Sequence, residues 1–234
     1  MVCLYLDPSA ALLPDGSMAK FWGRFLVAFT RTFDQRHYST ILDMADAPDP
    51  GAVVEAQGYV VAGTRPQAGL SADDVAFGQL LVAPGVGSSD PYLPSIDFEH
   101  DYDRMADECL ALLPGIERVL LVPRSGQHMY VERFANALAS RVPVERTLID
   151  DVRESPRVAV VSFSDDLAAV RGMLAALPPT VPVVLQTEAF ESGRPLIFLD
   201  LLGAECGTLI ANAVADALSG GDGGTVLLPY QWVA

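Results

Sequence analysis

Cys3, Cys109 and Cys206 are the strongest latent nucleophiles in the sequence. A two-lobed racemase or decarboxylase would need such a thiol facing a cleft. Cys3 falls in an apolar strand pattern, Cys109 in a helix, and Cys206 on the apolar stripe of another helix, so all three read as buried thiols. They form no CxxC or Cys/His spacing, and with only three scattered histidines a zinc site is not expected. GxSxG, a Walker loop and a GxGxxG following a strand are all absent. The Gly-rich SGGDGG follows a helix, the wrong side for cradling phosphate, and GVGSSD reads as a plain loop. Among single residues, Asp165 in SDD has the position of a helix N-cap, worth about 1 kcal/mol. Asp90 in SSDPY reads as a turn residue, and Arg133 beside Glu132 suits a solvated helix face. Phe21 and Trp22 are adjacent, so one must turn away from the face the other occupies, and Trp22 is the better candidate for a pocket mouth. His100 and His128 lie in polar stretches and read as solvated.

These side chains sit in a 234-residue chain with 50% hydrophobic and 19% charged residues, enough to bury the cores of two α/β units without disulfides. Fifteen Lys and Arg against 30 Asp and Glu leave a formal charge of −15, which repels phosphate backbones and anionic lipid. No basic patch is segregated, so this chain is expected to bind DNA poorly. Neither an export signal nor a stretch approaching 18 apolar residues is visible, and a cytoplasmic location is expected.

Short β-type runs alternate with amphipathic segments, the order of parallel sheets with crossover helices. The pattern predicts strands at Val2–Leu6, Ser39–Met44, Gly58–Gly63, Gln79–Ala83, Arg118–Pro123, Val158–Ser162, Val181–Gln186, Leu196–Leu199 and Thr225–Val233. Helices are predicted at Met18–Phe33, Asp101–Leu113, Tyr130–Ser140, Asp165–Ala176 and Leu202–Leu218. Phe21, Phe25, Ala28, Phe29 and Thr32 form the apolar face of the first, expected to pack on a sheet.

In this order the elements resemble the effector-binding domain of LacI/GalR-type transcription regulators over nearly the whole chain. VCLYLDPSAALLPDGSMAKFWGRFLVAF resembles that family's first strand, ligand-facing loop and aromatic-opening helix, and SDPYLPSIDFEHDYDRMADECLALL its crossing segment, with Asp97 and Asp101 at the flanks. VLLVPRSGQHMYVERFANAL and VAVVSFSDDLAAV are similar to its strand–loop–helix segments. PLIFLDLLGAECGTLIANAVADALSGG followed by TVLLPYQWV is similar to its closing strand, long helix and terminal strand. Asn136 stands where the family has glycine, and Thr187 and Glu188 stand where an aspartate usually ends the strand before the closing segment.

The resemblance implies an α/β fold of two Rossmann-like lobes with parallel sheets flanked by helices, of the type I periplasmic-binding-protein kind. The lobes would comprise residues 1–97 plus 195–219 and 98–194 plus 220–234, with crossings near Ile96, Arg194 and Ser219. It implies a sugar or nucleoside-like effector held by Asp90, Arg133, Ser164, Asp165 and Thr187, with Phe21 or Trp22 against its apolar face. Carboxylates and a guanidinium at strand ends can grip polyol hydroxyls by charge-assisted hydrogen bonds. It further implies a homodimer, no cofactor or metal, no turnover, no membrane contact, and DNA contact only through a head domain absent from this chain. A cysteine-dependent two-lobed enzyme and a ligand-free dimerisation module remain the alternatives.

Overall fold

The computed structural model describes residues 2–5, 17–43, 59–63, 80–84, 96–123, 129–152, 157–164, 167–186 and 193–234. In chain order its elements are β1 (Val2–Tyr5), α1 (Ser17–Gln35), β2 (Thr40–Asp43), β3 (Tyr59–Gly63), β4 (Leu80–Pro84), β5 (Ile96–Glu99) and α2 (Tyr102–Ala111). They continue with β6 (Arg118–Val122), α3 (Met129–Ala139), β7 (Val144–Arg146), a 3-10 turn (Ile149–Asp151), β8 (Val158–Ser162), α4 (Leu167–Ala176) and β9 (Val183–Leu185). The last are β10 (Ile197–Asp200), α5 (Gly203–Leu218), β11 (Gly224–Leu227) and β12 (Gln231–Val233). The architecture is α/β, with parallel sheets and flanking helices, in two compact units. One comprises Met1–Pro14, Met18–Glu99 and Leu202–Pro229, and the other Asp15–Ser17, His100–Leu201 and Tyr230–Ala234.

The first unit holds a four-stranded sheet in the order β2-β1-β3-β4 and a two-stranded sheet of β11 and β5. β1 pairs parallel with β2 and β3, while β4 returns antiparallel along β3. On α1, Phe25, Phe29 and Phe33 are fully buried and their rings stack at 5.8 and 5.4 Å. A Cβ at Gly203 would lie 2.5 Å from the Phe21 carbonyl oxygen, and one at Gly207 2.4 Å from that of Phe25. Two glycines one turn apart thus let α5 press onto the backbone of α1. Further along the same pair, Arg36 reaches Asn212 and Asp216, and the Tyr38 and Ser219 hydroxyls are 2.8 Å apart.

In the second unit a single sheet runs β12-β10-β9-β8-β6-β7, parallel throughout except for β12, which is antiparallel to β10. All five residues of β8 are buried and β9 is buried throughout, which is why these strands are continuous apolar runs rather than alternating ones. Leu120, Val122, Val158, Val160, Val183 and Leu185 pack against Val170, Met173 and Leu177 at and just beyond α4, forming one core. α2 and α3 pack on each other and bury Met105, Cys109, Phe134 and Leu138. Asp101 caps α2, its Oδ1 accepting the Arg104 backbone N–H at 3.0 Å.

The chain passes between the units at Glu99/His100, Leu201/Leu202 and Pro229/Tyr230, later at each place than the expected positions near Ile96, Arg194 and Ser219. β10 belongs to the second sheet because it pairs with β9 and β12. Residues beyond Ser219 stay in the first unit because β11 pairs with β5. The expected single strand Thr225–Val233 is two strands in different sheets, separated at Pro229, which has no N–H to offer a ladder. Leu202, at the second passage, has φ of 50° and ψ of 61°, a left-handed conformation costing a side-chain-bearing residue about 1–2 kcal/mol.

Arg194 has a structural role in the second unit. Its guanidinium donates to the carbonyls of Leu174 at 3.1 Å, Leu177 at 3.1 Å and Pro178 at 2.7 Å, and also to that of Val181. It therefore satisfies the carbonyls that the end of α4 leaves open. Arg194→Met keeps the apolar stem and removes the donors, and is expected to lower stability by about 2–3 kcal/mol in urea denaturation. Arg194→Lys, a point charge without the planar fork, should recover only part of that loss.

Candidate functional site

The order of the six-stranded sheet fixes where a ligand could approach the second unit. The strand following β6 lies on one side of it, as β7, and the later strands β8, β9 and β10 lie in turn on the other. The connections therefore diverge between β6 and β8, and the carboxyl ends of those two strands frame the crevice at which open parallel sheets bind ligands.

A row of polar groups lines this edge. Ser162 ends β8 and is 1% exposed, and Gln186, just past β9, is 7% exposed. The Gln186 backbone N–H donates to the Ser162 carbonyl at 3.0 Å, and that of Phe163 to Val122 at 2.9 Å, tying the three strand ends together. Half-buried Ser164 sends its N–H to the Ser162 hydroxyl at 3.3 Å, and half-buried Asp200 brings a carboxylate to the end of β10. Across the divergence, Arg133 is half-buried on the second turn of α3. The next residue, Phe134, is fully buried and meets Phe163 edge-on, centroids 5.7 Å apart at 74°. This ring pair joins the helical turn that carries Arg133 to the chain just past β8, next to Ser164.

Of the residues expected from sequence, Arg133 and Ser164 lie in the same unit, each next in sequence to one ring of this contact. Asp90, Asp165 and Thr187 lie outside the described residues, as does the side chain of Trp22 on α1. Phe21 is half-buried and stacks on Phe25 at 6.1 Å beside Gly203, within the packing of α1 on α5. Sequence reasoning missed Ser162, Gln186 and Asp200. The available signal was a serine closing the run VAVV and a glutamine closing VVL, polar residues at the ends of wholly apolar strands.

Two other expectations concern reactive groups. His100, read as solvated, is 1% exposed and packs edge-on between Tyr102 at 6.0 Å and Tyr230 at 5.9 Å. Burial against aromatic edges overrides the polar character of its neighbours in sequence. The Tyr230 hydroxyl donates to Glu108 at 2.9 Å, and Arg104 reaches the same carboxylate at 2.7 Å. The arginine's hydrogen bond holds that carboxyl below its ordinary pKa against the opposing effect of burial, while burial raises the Tyr230 phenol. Cys109 and Cys206 are buried free thiols. Burial pushes Cys109 up to about 12, and the Cys206 Sγ faces the Pro229 carbonyl at 3.8 Å. Neither has the exposed, electropositive setting of a reactive thiolate. Among the described residues no cluster of His, Cys, Asp and Glu could hold a metal, and no helix is long and apolar enough to cross a membrane.

No sequence-family model and no curated protein matches this chain by sequence. Solved structures do match it along its length. A LacI-family transcriptional regulator from Enterococcus faecium with bound ribose is 14% identical, with 100% of this chain and 97% of that chain covered and a TM-score of 0.67. A LacI-family regulator from Arthrobacter sp. FB24 in complex with lactose is 15% identical, with 100% and 97% covered and a TM-score of 0.63. A third, from Bifidobacterium animalis subsp. lactis, is 14% identical, with 100% and 95% covered and a TM-score of 0.65. The chain has, over its whole length, the fold seen in structures of LacI-family transcriptional regulators.

Proposed function

We propose that this chain is the effector-binding and dimerisation domain of a LacI/GalR-type transcription regulator, taking a sugar or nucleoside-like molecule at the carboxyl edge of the six-stranded sheet. The observation that carries the reading is the divergence of the sheet between β6 and β8, with Ser162 and Gln186 buried at the strand ends and the Phe134–Phe163 contact joining the segments that carry Arg133 and Ser164. A guanidinium, hydroxyls, an amide and the Asp200 carboxylate make a set of donors and acceptors suited to a polyhydroxylated ligand. The ribose- and lactose-bound neighbours favour a sugar. On this reading Asp90, Asp165, Thr187 and Trp22 complete the contacts, and the protein works as a cytoplasmic homodimer by binding rather than turnover. With a net charge of −15, it would reach DNA through a separate head domain.

The residue-level test is titration calorimetry with the sugar that binds. Arg133→Ala is expected to weaken binding roughly 10- to 100-fold, the range for a lost charge-assisted hydrogen bond. Ser164→Ala should cost less, roughly tenfold or below. Cys206→Ala should leave affinity unchanged. Full affinity in Arg133→Ala with the fold intact would remove the edge from the binding site.

A further inference from the structure

Ser162 closes β8 with a side chain that is 1% exposed. Val158 and Val160 of the same strand pack with Val170, Met173 and Leu177, and the alternation of a strand sets Ser162 on that same face. Taking a hydroxyl out of water there is costly unless it is hydrogen-bonded, whereas alanine or valine would extend the apolar run without that cost. The hydroxyl is bonded locally: its Oγ accepts the backbone N–H of Ser164 at 3.3 Å.

Three consecutive residues are anchored here through their backbones. The Ser162 carbonyl accepts the Gln186 N–H at 3.0 Å, and the Phe163 N–H donates to the Val122 carbonyl at 2.9 Å. Those two bonds run between main chains and depend on no side chain. The third, from the Ser164 N–H, depends on the side chain at position 162. Ser164 is half-buried where Ser162 is sealed, so of the two serines it is the one a ligand can reach. A serine hydroxyl stands a single rotatable bond from the main chain, so where it points follows the backbone that carries it.

We infer that Ser162 is a positioning residue for effector recognition, given that the edge proposed above is the binding site. Its buried hydroxyl fixes the backbone of Ser164, and through it the Ser164 hydroxyl, without touching the effector.

The test is a double-mutant cycle with Ser164, read by titration calorimetry of the full chain with ribose and with lactose, alongside melting temperatures. Ser162→Ala should weaken binding about threefold to tenfold, the effect of one misplaced neutral hydrogen bond. In a Ser164→Ala background the same substitution should change affinity by less than about twofold, because no hydroxyl is left to place. Ser162→Thr keeps the acceptor in a residue suited to a strand and should bind within about twofold of the parent, whatever its extra methyl does to the melting temperature. Losses that add in the double variant, or Ser162→Ala lowering the melting temperature with affinity intact, overturn the positioning role and leave the edge in place. Full affinity in Ser164→Ala, or no binding of either sugar by the parent, overturns the edge as a sugar site and the positioning role with it.

Discussion

Gly207→Ala is expected to destabilise the protein by about 3 kcal/mol or more, at the upper end for an overpacked core. The added methyl would lie 2.4 Å from the Phe25 carbonyl oxygen and 3.1 Å from the Phe25 Cα, and backbone atoms inside a helix cannot turn aside as a side chain can. The gain in helix propensity from replacing glycine, about 1 kcal/mol, offsets part of the loss. The control is the same substitution at Gly172 on α4, where nothing lies within 4 Å of the new Cβ and stability should rise by about 0.5–1 kcal/mol. The melting temperature of Gly207→Ala should fall by roughly 6–12 °C while that of Gly172→Ala edges upward. Equal, small effects at both glycines would mean that the close approach of α1 and α5 does not exist.

Phe134→Ala should cost about 3–5 kcal/mol, the range for emptying a fully buried aromatic site. Stability is only part of its effect, because the Phe134–Phe163 contact ties α3 to the end of β8 and so sets the position of Arg133 relative to Ser164. In protein kept folded at low temperature, calorimetry should therefore show weakened effector binding although Phe134 has no polar atom to offer. Phe134→Leu retains most of the volume and should recover much of the stability but less of the affinity. Loss of stability with affinity fully intact would mean that the ring pair supports the core alone.

Which parts of this were legible follows from how each residue is buried. β8 falls at Val158–Ser162 as expected, because a strand covered on both faces by helices leaves an unbroken apolar run that no loop would carry. The helices α1, α3 and α5 fall within two residues of the predicted ends, since their stripes repeat over three or more turns. β5 and β7 were not predicted. IDFE mixes charge with apolar residues and takes its strand character from β11, far away in sequence, while Val144–Arg146 is a three-residue edge strand with two exposed residues. The contact of α1 with α5 was illegible for another reason: a glycine that permits close approach looks the same in sequence as one that merely permits a turn.

At the candidate site, Arg133 and Ser164 came from the likeness of segment order to a known family. Ser162 and Gln186 were passed over because a polar residue ending an apolar strand reads as the first residue of a loop. Only the sheet order, with its divergence between β6 and β8, singles out a polar group at that end as a candidate for recognition.

The central claim, that this fold binds a small polar effector, is tested most directly by a thermal-shift series against ribose, lactose, other sugars, sugar phosphates and nucleosides. A ligand at a hundredfold over its dissociation constant adds about 2.7 kcal/mol to the folded state. For a chain of this size that raises the melting temperature by roughly 5–10 °C. The account predicts a shift of that size with a sugar or nucleoside, lost in Arg133→Ala. No shift with any member of the series at millimolar concentration would contradict it.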